Sequence, residues 1–200
     1  MYHQLSNDFR KYVIPYENSF TTVKVPECKI KRIHNLANNI AKLKLQEKKV
    51  DTKNLSNRFY TGLLGEAAIE EITGLNVIEW TVGHSTKYDK PDLHNAGYNV
   101  GVKTVNYGLF PVVHKRPMWP EIINFIKNDK EVMVCGIAPL DSLILKQNDS
   151  YILSDFLRRK GNKTAFYGFS DILSFSNYKE FNKAYYTEIF FQKISTLKVS

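Results

Sequence analysis

Cysteine is scarce in this sequence and provides no structural framework. The 200 residues include two cysteines, Cys28 and Cys135. They form no CxxC pair, and neither they nor the five histidines have the spacing of a zinc site. Cys135 lies in the apolar run EVMVCGIA and is expected to be a small buried hydrophobe. Such sparse cysteine usage favours a reducing intracellular compartment over secretion.

Long hydrophobic runs are also lacking. The N-terminal sequence MYHQLSNDFRKYV has no apolar segment of signal-peptide length. No run approaches the roughly 18 to 20 apolar residues that a membrane span needs. We therefore expect no membrane association through a spanning segment, and the cytoplasm is the default location.

Several glycine-rich motifs of well-known enzymes are missing. The sequence contains no GxxxxGK[ST], no GxGxxG and no GxSxG. These absences argue against a nucleotide-hydrolysing motor. There is also no internal repeat, low-complexity tract or domain linker, so residues 1–200 are expected to form a single domain.

Positive charge is what the chain has in excess. Twenty-eight lysines and arginines stand against 20 acidic residues, which gives a net charge of +8. This imbalance favours a polyanionic partner, with nucleic acid ahead of an anionic membrane. The alternative is that the charge merely solvates the surface, as in many basic proteins that bind neither.

Two helices are predicted in the first half of the chain. Residues 28–50 have an apolar stripe at helical spacing, and lysines and arginine cover the other faces, so this is a basic N-terminal helical segment. Residues 55–77 form the second helix, with Ser56 or Asn57 as a plausible cap. This helix is expected to end at Gly74, and it contains two interior glycines, Gly62 and Gly65. Interior glycines weaken a helix, so close approach of another backbone is expected there.

The rest of the chain reads as strands with helices between them. The expected strands are 75–82, 91–93, 98–107, 131–138, 142–147 and 164–169. The expected helices are 120–128, 154–160 with Ser154 as cap, and 178–194, whereas residues 1–27 are expected to be irregular. The run at 131–138 is apolar enough for a central strand buried on both faces. This order predicts an α/β (α+β) fold with a central mixed β-sheet flanked by helices.

The strand at 98–107 carries one lysine among apolar residues. Side chains alternate along a strand, so Gly101 and Lys103 point to the same face. Asp92 follows Pro91, which restricts the local backbone, and the intervening turn brings Asp92 back towards Lys103. A fixed carboxylate beside a lysine suits metal-assisted phosphodiester cleavage, because Mg²⁺ prefers few protein carboxylates and retains water. The alternative is an ordinary surface lysine on an edge strand.

Glu66 is the third candidate. It lies on the glycine-bearing helix, one turn before Glu70. If Gly62 and Gly65 let that helix approach the sheet, Glu66 can reach the site of Asp92 and Lys103. The alternative is that Glu66 belongs to a solvated helix surface.

This arrangement resembles the PD-(D/E)xK nuclease superfamily. The pattern is a helical glutamate, then Pro-Asp, then an acid two residues before a lysine; here it is Glu66, Pro91-Asp92 and the run Gly101-Val102-Lys103, within about residues 55–140. The resemblance implies a restriction-endonuclease-like core over about residues 55–170 and an Mg²⁺-dependent (or Mn²⁺-dependent) endonuclease or resolvase acting on DNA. It also implies metal ligands: the Asp92 carboxylate, the Val102 carbonyl and, as an assisting acid, Glu66.

Gly101 departs from this pattern, because the family carries an acid there. Three interpretations are open. The metal can be held with more water, or an acid can come from Glu66, Glu70 or, more weakly, Asp89. The third interpretation is a catalytically inactive nuclease fold that binds DNA.

Basic residues elsewhere are candidates for contacts to nucleic-acid phosphates. They are Lys31, Arg32, Lys115, Arg116, Arg158, Arg159 and Lys160. Such contacts position a protein on nucleic acid without reading its sequence. A homodimer is also plausible, because nucleases of the resembled kind often pair to cut two strands. A basic regulator that binds another protein is the remaining alternative.

Overall fold

The computed structural model describes residues 6–46, 55–81 and 90–197. Its helices are α1 (Asn7–Tyr12), α2 (Glu27–Gln46), α3 (Leu55–Thr73), α4 (Leu140–Leu145), α5 (Asp155–Lys160) and α6 (Tyr178–Leu197). Its strands are β1 (Thr21–Lys24), β2 (Gly101–Asn106), β3 (Val112–His114), β4 (Glu121–Asn128), β5 (Glu131–Ala138), β6 (Gln147–Asn148) and β7 (Lys163–Phe166). Among these helices, none is both long and apolar enough to span a membrane.

Four strands form a mixed sheet in the order β1-β5-β4-β2. β5 pairs antiparallel with both neighbours, whereas β2 runs parallel to β4 and lies at the edge. Seven of the eight residues of β5 are buried. The apolar run at 131–138 is therefore a central strand, as its composition predicts.

The two faces of this sheet carry separate apolar cores. Helices α2, α3 and α6 cover one face, where Val102, Ile122 and Val134 are packed. A second sheet, in the order β3-β7-β6, lies with α1 over the other face, where Ile123 and Phe125 are buried. The predicted mixed α/β architecture with a mixed, helix-flanked sheet is confirmed at this level.

Helix α3 packs tightly on edge strand β2 because Gly65 has no side chain. A Cβ atom at Gly65 would lie 1.8 Å from Oγ1 of Thr104 and 3.0 Å from Nδ2 of Asn124. Close approach is therefore the reason for this glycine. Gly62, in contrast, has open space around it, so the same expectation is wrong for that position.

Several helix boundaries agree with the sequence patterns. Gly74 ends α3 with φ of +71°, and its N–H donates to the Glu70 carbonyl oxygen. The Ser154 hydroxyl caps α5 by accepting from the Leu157 N–H at 3.4 Å. The predicted cap at Ser56 or Asn57 is wrong, because α3 already includes both residues and the Ser56 hydroxyl bonds to Asn38 instead.

The predicted helix at 120–128 is wrong, since residues 121–128 form strand β4. The first five residues of the strand are all buried, and they contact the cores on both faces of the sheet. An eight-residue run rich in β-branched isoleucine fits such a position better than an amphipathic helix. This correction matters for function, because it places Glu121 in the sheet beside β2.

The predicted strand at 142–147 is also wrong. Most of it is helix α4, and only Gln147 enters a strand. The Glu188 carboxylate accepts from the Leu140 N–H at 2.8 Å, which satisfies one of the free donors at the start of α4. A partner 48 residues away supports this short helix, and local patterning does not reveal it.

Three further segments depart from expectation. Residues 75–81 are not a strand, because the Glu70 carboxylate takes the N–H groups of Val77 and Ile78, each at 2.9 Å; Val82 lies outside the described residues. Residues 91–93 form a turn in which the His94 N–H donates to the Pro91 carbonyl. The described part of residues 1–27 is not irregular, since it contains α1 and β1.

Candidate active site

Asp92 is held against the beginning of β2. Its Oδ2 accepts a 2.6 Å hydrogen bond from the Val102 N–H. The next residue supports this geometry, because the Leu93 N–H donates to the Val100 carbonyl oxygen at 3.0 Å. The turn after Pro91 therefore brings the Asp92 carboxylate to the run that contains Gly101 and Lys103.

Glu121 occupies the space beside Gly101. The parallel pairing of β2 and β4 sets Gly101 opposite Glu121. A Cβ atom on Gly101 would lie 3.3 Å from the carboxyl carbon of Glu121 and 2.8 Å from Nε1 of Trp119. The neighbouring strand thus brings a carboxylate to the place where a side chain at position 101 would begin.

The charges around Glu121 link it to Asp92 and Lys103. Glu121 is buried, with 7% of its surface exposed, and burial raises the pKa of its carboxyl. The positive charge of Lys103 works against that rise, and the negative charge of Asp92 adds to it. The pKa of Asp92 is likewise raised by burial, while the Val102 N–H and Lys103 counteract this effect. One side of Asp92 still faces solvent, so ligands have access to the site.

Glu66 meets this cluster from helix α3. Burial is the largest cause that raises its pKa well above the ordinary value, followed by the negative charges of Asp92 and Glu70. Thr104 contacts α3 at Gly65, so Lys103 points to the opposite face of β2. Asp92, at the end of the strand, interacts with Glu66 on one side and with Lys103 on the other.

Glu70 has a structural role instead. Its Oε1 accepts from two backbone N–H groups, and its Oε2 lies 3.1 Å from Nζ of Lys29. This carboxylate is therefore already occupied in fixing the chain after α3. Asp89, the other alternative acid, lies outside the described residues.

The acidic side chains of the candidate site do not form a complete set of metal ligands. Within residues 6–46, 55–81 and 90–197, no three histidine, cysteine, aspartate or glutamate side chains are grouped to hold a metal ion. A hard cation with retained water needs fewer protein ligands. The donors that fit it are the carboxylates of Asp92 and Glu121 with the Val102 carbonyl. Burial raises the pKa of both carboxyls, and the charge of Asp92 raises that of Glu121 further, so a cation beside them would favour their charged forms.

Cations gather on the Lys103 side of the sheet edge. His114 on β3 stands opposite Lys163 on β7. Burial, then the charges of Lys163 and Lys103, lower the pKa of His114. Arg58 and Lys160 also lie close enough to lower the pKa of Lys163. The carboxylates therefore border a positively charged surface.

The predicted phosphate contacts are scattered by comparison. Several of them already contact other residues of the protein. Arg32 stacks over Trp80, and Lys115 pairs with Asp149 at 2.6 Å. In α5, Arg158 pairs with Asp155, the Arg159 side chain donates to the Asp155 carbonyl, and Lys160 lies over Phe156. Lys31 and Arg116 are exposed. Of the seven, Lys160 is the one whose charge acts on Lys163 beside the cluster.

Sequence patterns missed Glu121, and they gave no sign that His114 and Lys163 lie opposite each other. Glu121 was hidden because its segment was interpreted as a helix, which separates it from β2. The recognisable signal was an acid directly before IINFI, a run suited to a buried strand. No family model, no curated protein and no solved structure matches this chain, so these residues carry the functional argument by themselves.

Proposed function

We propose that this protein is a metal-dependent nuclease that hydrolyses DNA phosphodiester bonds, with a restriction-endonuclease-like core. The observation that carries the proposal is the position of Glu121, whose carboxyl group lies beside Gly101. The PD-(D/E)xK pattern expects its second acid at that position. We infer that the acid has moved from β2 to the neighbouring strand β4, so that the departure at Gly101 is compensated.

The proposed metal ion is Mg²⁺ or Mn²⁺. Asp92 and Glu121 would hold it with the Val102 carbonyl, and Glu66 would assist, directly or through water. When bound, the ion supplies Lewis-acid stabilisation of the phosphate and lowers the pKa of bound water. The Val102 N–H orients the Asp92 carboxylate before any ligand arrives.

Lys103 is placed to act on the substrate. It is half-buried and forms no salt bridge with the described residues, yet its charge acts on both Asp92 and Glu121. An ammonium group in this position can balance negative charge on a phosphate and orient the attacking water. Its role is therefore electrostatic and positional.

Nicking of supercoiled plasmid tests the proposal. The unaltered protein is incubated with plasmid in Mg²⁺ and, separately, with chelator. We expect nicking only with the metal, and a loss of about 100-fold or more in Glu121→Gln and Asp92→Asn, since even residues behind a metal ligand are worth 10- to 100-fold. Lys103→Met is expected to lose activity while retaining its fold.

Glu131→Gln is the matched control for Glu121→Gln. Glu131 lies at the opposite end of the β4–β5 hairpin, where it accepts from the Asn128 side chain. The control should cleave like the unaltered protein. Full nicking by Glu121→Gln would exclude Glu121 as the missing acid, and nicking that survives Asp92→Asn and Lys103→Met would exclude the site.

A catalytically inactive DNA-binding protein is the second candidate. The lack of a three-ligand group in the described parts of the chain favours it, because fewer ligands weaken metal affinity. It predicts salt-sensitive DNA binding without cleavage under any metal condition. A basic protein-binding regulator, in contrast, would show no DNA binding even at low salt.

A further inference from the structure

We infer that Lys163 and His114 form a binding site for a backbone phosphate next to the carboxylate cluster. The two residues face each other as partners on the antiparallel strands β7 and β3. That the bound anion is a phosphate of DNA rests on the proposed function. The site itself is formed by the second sheet, which contains none of the residues of the PD-(D/E)xK pattern.

The backbone of the second sheet fixes the positions from which the two side chains extend. β3 and β7 pair over three residues, and the Lys115 N–H donates to the Asn162 carbonyl at 3.1 Å just beyond His114 and Lys163. Strand residues hold a site more rigidly than loop residues do. An anion between these side chains therefore meets two donors that extend from a paired backbone.

Lys163 forms no salt bridge with the described residues. Its side chain is nevertheless half-buried. Lysines are rarely buried without a partner, because desolvating the ammonium costs free energy. Lys115, which directly follows β3, has the ordinary arrangement, because it pairs with Asp149 at 2.6 Å.

The charges that face this position are mostly positive. Burial and the charge of Lys103 lower the pKa of Lys163, with smaller contributions from Arg58 and Lys160, while Glu121 alone acts in the opposite direction. His114 is subject to the same repulsion, from Lys163 and Lys103. A phosphate bound here relieves that repulsion, which is the expected property of an anion site.

The position of Lys163 relative to the carboxylates indicates which DNA phosphate would bind there. Lys103 and Glu121 act on Lys163, so the new site adjoins the proposed catalytic cluster. A DNA strand whose scissile phosphate lies at Asp92 and Glu121 would then place a neighbouring phosphate at Lys163. Such a contact holds the strand in register without reading its sequence.

The test measures binding of a fluorescein-labelled DNA duplex in chelator, so that cleavage plays no part. Lys163→Met is expected to weaken binding about tenfold, as for loss of one charge-assisted contact, and to reduce the slope of log K against log salt by about one. Lys163→Arg, which keeps the charge, should retain the slope. Lys24→Met is the matched control, because Lys24 is exposed on β1 at the opposite edge of the sheet.

The outcomes separate this inference from the nuclease proposal. Unchanged affinity and slope in Lys163→Met, or an equal loss in Lys24→Met, would overturn the phosphate site whether or not the protein cleaves DNA. A selective loss in Lys163→Met supports the site even if no nicking is found. Thermal melting checks the fold, and Lys163→Gln replaces the methionine variant if that variant does not fold.

Discussion

Trp119 and Glu121 leave no room for a side chain at Gly101, so a substitution there affects stability as well as activity. A Cβ at Gly101 would lie 2.8 Å from Nε1 of Trp119 and 3.3 Å from the Glu121 carboxyl carbon. We expect Gly101→Ala to lower the free energy of unfolding by about 1–3 kcal/mol, because a well-packed site resists added volume. Gly101→Glu should fail to increase cleavage, since it displaces Glu121. Thermal melting and plasmid nicking measure the two effects, and a gain of activity in Gly101→Glu would contradict the proposed role of Glu121.

Glu66 should destabilise the metal-free protein at neutral pH. Because its pKa is raised in the folded state, its contribution to stability is complete below the unfolded value near 4.5 and is lost as the pH rises through the folded pKa. We expect Glu66→Gln to be more stable than the unaltered protein at pH 7 in chelator. This advantage should disappear as the pH approaches 4. Urea unfolding across that range measures the difference.

Glu70→Gln is the contrasting variant on the same helix. The Glu70 carboxylate accepts from the N–H groups of Val77 and Ile78 and pairs with Lys29. The amide has one acceptor oxygen and no charge, so Glu70→Gln should lose about 1–3 kcal/mol at pH 7. Equal behaviour of Glu66→Gln and Glu70→Gln would show that the two carboxylates do not have different roles.

Local sequence signals indicate some residues of the candidate site and conceal others. Asp92 and Lys103 could be predicted, because a Pro-Asp turn followed by an interrupted apolar strand is visible within 15 residues. Glu121 could not, since its proximity to Gly101 depends on parallel pairing between segments about 20 residues apart. His114 and Lys163 are 49 residues apart and meet only through the second sheet. Residues that meet through non-local pairing leave no local pattern.

At the scale of elements, the contact of α3 with β2 sets the distance between Glu66 and the sheet. We expect Gly65→Ala to destabilise the protein by about 1–3 kcal/mol, because its methyl group would lie 1.8 Å from Oγ1 of Thr104 and 2.9 Å from its Cβ. If Glu66 assists in cleavage, the displaced helix should also reduce nicking. Chemical denaturation and the plasmid assay measure both effects.

Gly62→Ala is the matched control within α3. Apart from its chain neighbours and the adjacent helix backbone, no atom of the described residues lies within 4 Å of a Cβ at Gly62, so the substitution should add only helix propensity. It is expected to stabilise the protein by up to about 1 kcal/mol. Stabilisation by both substitutions would mean that α3 does not pack against β2 through Gly65.

The elements that could be predicted are those with strong local periodicity. Helices α2, α3 and α6 and strands β2 and β5 follow from spacing, alternation or apolar composition. Strand β4 was misassigned because Pro120 resembles a helix start, although its isoleucines lie in the centre of the sheet. In the second sheet, β3 and β6 span only three and two residues, too short for a periodic signal, whereas β7 overlaps the strand predicted at 164–169.

At the scale of the whole molecule, the described residues of one chain form one candidate site. Glu66, Asp92, Lys103 and Glu121 all come from a single sheet edge and the helix beside it. If the proposed nuclease activity holds, one such cluster would act on one phosphodiester bond at a time, whereas the scissile bonds of a duplex lie on two strands. A symmetric homodimer would supply a second site. Whether the first product is cut in one DNA strand or in both therefore shows whether a monomer or a dimer performs the proposed cleavage.

We expect nicked circular plasmid to accumulate before linear plasmid when the protein is dilute relative to DNA. A monomer must bind twice to cut both strands, so the linear form should appear with a delay and rise more steeply with protein concentration. Gel analysis of a time course at several concentrations measures both rates. Linear product from the first time point, without a nicked intermediate, would contradict cleavage by a monomer and indicate a dimer on the DNA. Light scattering of the free protein then shows whether that dimer forms before DNA binds.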